Sequence, residues 1–245
     1  MNNEHIVKSY DLDLNQLNDL IARMGGLAEK LLADAVQSVF KRDTELAAKT
    51  VDSDHRIDSL EHEIDALVVQ MLALRQPVAD DLREVITALK ISSDLERVGD
   101  YAANIAKRVT ALSQVPSVRP AHLIPRMGTL AQAQIHRVLD AYVQRDANKA
   151  MEVRNADEEI DEMYTSLFRE LLTYMMEDPR DISACTHLLF IAKNIERIGD
   201  HATNIAEYVY FLVHGSPLAN ERPKGDTSPT VVSAPSKSPR KESSA

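Results

Sequence analysis

Carboxylates spaced by four residues are the recurring chemistry-bearing pattern of this 245-residue chain: Asp54 with Asp58, Glu96 with Asp100, Asp157 with Asp161, and Glu196 with Asp200. On an α-helix that spacing stacks two side chains on one face, one turn apart. Like charges so placed destabilise a helix by about 0.2–0.5 kcal/mol per pair. Keeping them requires solvent, a basic partner or a cation. An all-carboxylate donor set selects hard ions such as Mg²⁺, Ca²⁺, Mn²⁺ or iron over a thiolate-preferring metal. The competing reading is an ordinary solvated helix face.

The elements that must carry these acids follow from the prolines. All ten sit where a helix would have to end: Pro77, then Pro116, Pro120 and Pro125, then Pro179, then five beyond residue 215. A proline inside a helix costs about 3 kcal/mol, so the stretches between are free to be long helices. Their apolar residues recur in steps of three and four: Leu14, Leu17, Ile21, Met24, Ala28, Leu31 and Ala35; Ile57, Leu60, Ile64, Leu67, Met71 and Leu74; Ile91, Leu95, Val98, Ala102, Ile105, Val109 and Leu112. The first half therefore reads as helices over 11–41, 43–75 and 80–113, with Asp43 or Thr44 capping the second. Few glycines, no Trp and 4% aromatics agree with an all-α protein. On the helical wheel, Glu96 and Asp100 lie nearly opposite their apolar stripe and Asp54 and Asp58 flank theirs. The four can face one another outside the main core.

The second half repeats the first. A shift of 103 lays Arg23-Met24-Gly25 on Arg126-Met127-Gly128, Arg42-Asp43 on Arg145-Asp146, and Asp54 and Asp58 on Asp157 and Asp161. A shift of 100 lays ISSDLERVGDYAANIA (91–106) on IAKNIERIGDHATNIA (191–206), with identity at Ile91, Glu96, Arg97, Gly99, Asp100, Ala102, Asn104, Ile105 and Ala106. Two copies of a three-helix unit result, packed against one another because the linker is short. The organisation is an extension over 1–10, a first unit over 11–113, a linker over 114–125, a second unit over 126–214 and a Ser/Pro-rich disordered tail over 215–245. Glu61 and Asp65 extend the first acidic row, but Tyr164 and Phe168 replace them in the second, which makes them weaker candidates. Gly99 and Gly199 read as points of close helix contact, Arg97 and Arg197 as salt-bridge partners of neighbouring acids, and Cys185 as a small core residue. Asn104 and Asn204 either complete a coordination shell or join a side-chain network. His55 and His201 adjoin acids, but Glu158 and Tyr101 stand at the matching positions, so no shared imidazole ligand is expected.

Whole classes of function are disfavoured. A net charge of −10 has the wrong sign for holding nucleic acid or an anionic membrane. One cysteine allows no internal disulfide, the N-terminus lacks a signal-peptide pattern, and no apolar run is long enough to span a bilayer, so a cytoplasmic protein is expected. No phosphate loop, dinucleotide-binding glycine fingerprint, H-E-x-x-H or Glu-x-x-His motif is present.

At RQPVADDLREVITALKISSDLERVGDYAANIAKR, echoed by LLFIAKNIERIGDHATNIAEYVYF, the chain resembles the PhoU family of bacterial phosphate-uptake regulators, over about residues 10–215. The resemblance implies tandem three-helix bundles and multinuclear metal sites at the acidic pairs, with iron, manganese, magnesium or zinc as candidate ions. Carried over, the ligands are Asp54, Asp58, Glu96 and Asp100 in one unit and Asp157, Asp161, Glu196 and Asp200 in the other. It further implies a non-enzymatic, homodimeric cytoplasmic negative regulator of the phosphate-starvation response. Its partners would be the Pst phosphate ABC transporter and a PhoR-type sensor histidine kinase, and it would meet the membrane only through them. The rival readings are a metal-dependent hydrolase or phosphatase and a metal-storage bundle.

Overall fold

Two antiparallel seams hold the halves of the molecule together. A computed structural model describes residues 2–219, with side chains from Tyr10 onward. The helices are α1 (Asn2–Lys41), α2 (Thr44–Ser53), α3 (His55–Arg75), α4 (Asp80–Lys107), α5 (Val109–Ser113), α6 (Ile124–Gln144), α7 (Ala147–Glu177) and α8 (Ile182–His214), with short 3₁₀ turns at Arg119–Leu123 and Pro179–Asp181. Among the described residues there is no strand, and no helix is long and apolar enough to cross a membrane. The expected tail beyond residue 219 lies outside the described residues.

The turn between the first two helices of each unit is the same construction. Arg42 and Arg145 adopt left-handed backbone with φ of 55° and 50°, and Asp43 and Asp146 each cap the next helix by accepting two backbone N–H groups. Before each turn, the Asp43 amide donates to Ser38 and the Asp146 amide to Ala141, at 2.9 Å in both. These bonds satisfy carbonyls that a helix end otherwise leaves unpaired. The apolar stripes become the core: from Leu17 through Ala35 on α1 and from Ile91 through Leu112 on α4 and α5 they are buried. Leu74 is the exception, 68% exposed at the end of α3.

Three boundaries differ from the sequence expectation. α1 runs on to Asn2, since neither proline nor glycine stops a helix over the first ten residues. The expected helix over 43–75 is broken at Asp54, where the Asp54 amide donates to Val51 and the Ile57 amide to Asp54, both with three-residue spacing. His55 Nδ1 bonds the Asp52 carbonyl there, taking the acceptor that an unbroken helix would give to Arg56. The matching stretch of α7 carries Glu158 instead and is continuous. The helix over 80–113 tightens likewise at Arg108, whose amide donates to Ile105, and its guanidinium stacks 4.2 Å from the Phe190 ring centroid.

α4 and α8 form one seam: Arg83 reaches the Leu212 carbonyl, Asp94 reaches His201 and Arg108 reaches His187, so numbering rises on one helix as it falls on the other. α1 and α6 form the second seam in the same sense. A Cβ added to Gly25 would stand 2.5 Å from Leu139, and one added to Gly128 would stand 2.5 Å from Val36. Leu139 and Val36 are themselves repeat counterparts, so the notch is made twice about a pseudo-two-fold axis. α2 and α3 pack outside on α1 and α4, and α7 packs outside on α6 and α8. Gly26, by contrast, has nothing within 4 Å of an added Cβ. Gly128→Ala is expected to lower stability by about 1–3 kcal/mol through overpacking against Val36, whereas Gly26→Ala should raise it by up to about 1 kcal/mol through helix propensity. Thermal melts of the pair, with Val36→Ala as partial rescue of Gly128→Ala, check this.

Candidate functional site

The acidic pairs fall in two grooves, α3 against α4 and α7 against α8. In the first, Asp54 sits at the α2–α3 break, Asp58 one turn later, and Glu96 and Asp100 face them from α4. Gly99 lets α4 come this close: a Cβ there would lie 3.0 Å from Asp54 Oδ1 and 2.8 Å from Ile57. In the second, a Cβ on Gly199 would lie 2.7 Å from Asp157 Oδ1 and 3.2 Å from Gln134 Oε1. Each glycine thus admits an aspartate against the backbone of its own helix, α4 in the first unit and α8 in the second.

The acids feel one another across the grooves. Burial, then Asp58 and Asp100, raise the Asp54 carboxyl above the usual range. Glu96 is raised by burial first and then by Asp100, Glu61 and Asp58, with Arg97 working against them. Glu61, a secondary candidate in sequence, is raised by burial and by Asp65 and belongs to this field. In the second groove burial dominates at Glu196, with Asp200 and Asp161 adding to it and the Lys193 ammonium opposing.

The two grooves differ in depth and in counter-charge. Asp157, Asp161 and Glu196 are 2%, 3% and 4% exposed, whereas Asp54, Asp58, Glu96 and Asp100 are half-buried. Three of the second unit's acids thus lie inside the core, while Asp200 is half-buried like the four acids of the first unit. In the second unit Tyr164 and Phe168, with rings 6.3 Å apart, stand in place of the carboxylates Glu61 and Asp65. Lys193 Nζ bonds Glu196 Oε1 at 2.7 Å and stands 4.8 Å from the Tyr164 ring centroid. The first groove uses Arg97, which donates to Asp100 at 3.3 Å and approaches Glu96 at 3.6 Å. Arg197 departs from this role and lies 5.7 Å from the Tyr101 ring centroid, across the seam.

The donor chemistry fits a hard cation. Glu196 Oε2 and Gln134 Oε1 are buried oxygens that accept no hydrogen bond, a situation that costs about 1–3 kcal/mol per group. As they stand, no three His, Cys, Asp or Glu side chains among the described residues are gathered to hold one ion. The eight acids form two charged neighbourhoods without a closed coordination shell.

Asp94 was missed by sequence reasoning. It is 8% exposed, pairs with His201 Nδ1 at 2.5 Å and accepts from Asn204 Nδ2 at 3.1 Å, joining the units across the α4–α8 seam. Its repeat counterpart is Asn194, so repeat logic passed over it. Asn204 belongs to this network, Asn104 accepts from Lys107 at 3.4 Å, and Cys185 is buried in the core.

The family model described as PhoU domain matches residues 21–109 and again 124–209. The chain belongs to the PhoU family. It is 51% identical over 224 residues to a protein of Caulobacter vibrioides (strain NA1000 / CB15N) named phosphate-specific transport system accessory protein PhoU homolog, covering 91% of this chain and 97% of the relative. A Rhizobium meliloti (strain 1021) protein of the same name is 49% identical, covering 95% and 99%. The crystal structure of PhoU from Pseudomonas aeruginosa superposes with a TM-score of 0.82 at 39% identity, over 84% of this chain and 100% of that one. That of the phosphate transport system regulatory protein PhoU from Streptococcus pneumoniae gives 0.78 at 31%, over 85% and 99%. The two PhoU matches fall on either side of a segment that contains Pro116 and Pro120.

Because Asp54 is held among like charges, Asp54→Asn is expected to stabilise chelator-treated protein. Relief of about 1 kcal/mol corresponds to about 2–4 °C in Tm at this size. The same variant should lose most of any Tm rise that Mn²⁺ or Fe²⁺ gives the wild type, since an ion bound only by the folded state must stabilise it. Melting curves with and without added metal check both signs.

Proposed function

We propose that this chain is a cytoplasmic accessory regulator of phosphate transport, an adaptor between a Pst-type phosphate ABC transporter and a PhoR-type sensor histidine kinase. In this role it restrains the phosphate-starvation response while phosphate is plentiful. The observation that carries the reading is membership of the PhoU family, with relatives named as transport-system accessory proteins aligned over nearly their whole length. The absence of a recognised catalytic motif in the sequence supports action through binding alone. Such a protein works by favouring one state of the partner it contacts.

The metal reading belongs to the same proposal. Asp54, Asp58, Glu96 and Asp100, and Asp157, Asp161, Glu196 and Asp200, would hold iron, manganese, magnesium or zinc. A bound cation would supply charge neutralisation between α3 and α4 and between α7 and α8. The protein's own contribution is the glycine-permitted helix approach that sets the acids face to face, with Arg97 and Lys193 partly balancing them. A homodimer in the cell is part of the reading.

Deleting the gene should derepress phosphate-starvation genes in phosphate-rich medium, and a second deletion of the kinase should abolish that effect. Neutralising Asp54, Glu96, Asp157 and Glu196 together should reproduce part of the derepression, with helical content verified by circular dichroism. Normal repression in the deletion strain would overturn the adaptor. Turnover of phosphate esters by the purified protein would put the hydrolase in its place, and release of many metal ions per chain would favour storage.

A further inference from the structure

The repeat supplies an internal control for every cavity, and one cavity fails to match its counterpart. At the linker end of the molecule, a pocket of about 420 Å³ lies between the end of α1, the linker and the start of α8, and none of its lining residues is acidic. At the far end the corresponding space is divided into two cavities of about 210 and 330 Å³, both lined by Asn18, Glu84 and Arg145. The linings of the two ends correspond position by position: Val39 with Tyr142, Phe40 with Val143, Arg42 with Arg145, Leu112 with Leu212, Ala184 with Glu84 and Ala121 with Asn18.

At the far end a polar network occupies the space. Tyr142 donates to Asn18 at 2.6 Å, Asn18 donates to Glu84 at 3.3 Å, and Arg145 pairs with Glu84 at 2.5 Å. At the linker end the phenol, the amide and the carboxylate become Val39, Ala121 and Ala184. Arg42 is left with the Val115 carbonyl and, among the described residues, no carboxylate partner. The rim adds a guanidinium and an imidazole: Arg119 and His122 are exposed there, where the far end has Gln16 and Asp19. Phe40 stands beside them, 67% exposed. The pocket thus lacks the carboxylate its twin supplies for the arginine, and its own aromatic, Phe40, stands exposed at the mouth where the twin has the buried Tyr142.

We propose that this pocket docks an acidic peptide segment of a partner protein, with a large aromatic side chain on the apolar floor of Leu112 and Leu188 and a neighbouring carboxylate on Arg42. Arg119, His122 and Phe40 line the exposed mouth of the cavity, which suits a chain passing over it. Although the whole protein is acidic, charges beyond about 8 Å are screened at physiological salt, so the guanidinium groups of Arg42 and Arg119 decide the encounter. The protein's own residues 216–245 do not complement the site: they carry five basic against three acidic residues and no aromatic. The assignment is independent of the phosphate-regulation reading and is tested on the purified chain.

The probe is an acetylated, amidated pentapeptide Gly-Tyr-Glu-Glu-Gly, titrated while the methyl resonances of Leu112 and Leu188 are followed by NMR. Saturable shifts are expected, with affinity weakened about tenfold or more in Arg42→Gln, since charged hydrogen bonds are the strong ones. Ala184→Glu, which restores the far-end carboxylate, should weaken it similarly, and the remote Arg137→Gln should not. Should Ala184→Glu fail to fold, the partly exposed Arg42→Gln still decides. Overturning results are no shift at these methyls, equal binding by the peptide with lysine for glutamate, or unchanged affinity in Arg42→Gln. Binding of 3-(4-hydroxyphenyl)propionate as tight as the peptide would make this a small-molecule pocket, and loss of a wild-type dimer in Ala184→Glu would make it a self-interface. Either would overturn the peptide assignment.

Discussion

The close antiparallel approach of α1 to α6, possible only because Gly25 and Gly128 present no Cβ to Leu139 and Val36, is the constraint from which the rest of the architecture follows. Interiors pack near the density of organic crystals, so a contact this tight fixes rotation as well as spacing. Once the inner faces of α1 and α6 are committed to each other, and those of α4 and α8 likewise, only the outer flanks remain for α2, α3 and α7. The acidic pairs accordingly lie in outer grooves, away from the seams. The Asp94–His201–Asn204 network then ties the α4–α8 seam with polar contacts that demand one register.

The grooves combine features that oppose one another energetically. Gly99 and Gly199 each forgo about 1 kcal/mol of helix propensity relative to alanine, and in return an aspartate can be drawn against the helix. Burial first, and neighbouring carboxylates after it, raise the proton affinity of Asp54, Glu96 and Glu196. Arg97 relieves the first groove from an exposed position, where screening weakens the pair. Lys193 relieves the second from a more sheltered one, against a carboxylate removed from water. The same four acids therefore sit in two different electrostatic settings.

Much of this was legible from the chain. Prolines marked the ends of helices, three-and-four spacing marked their buried faces, and identity between 91–106 and 191–206 exposed the doubling. The facing of Glu96 and Asp100 toward Asp54 and Asp58 also followed from the wheel. Less legible was anything that differs between the units. The break at Asp54 depends on one imidazole, His55, reaching one carbonyl, and no periodicity reports it. The burial of Asp157, Asp161 and Glu196 comes in the unit where Tyr164 and Phe168 stand in place of Glu61 and Asp65, which the sequence registered only as lost acids. Asp94 escaped because its counterpart is an asparagine, and Glu84 because its counterpart is an alanine.

Joining the repeats in one chain has a consequence that separate subunits could not reach. In a symmetric homodimer a substitution is written at both ends of the axis at once, so a Glu84 that closes one end would close the other. Here the linker lets residue 84 remain glutamate while residue 184 is alanine. Covalent fusion keeps the geometric economy of two-fold packing while releasing each end to change alone, and a molecule with matching halves acquires a direction.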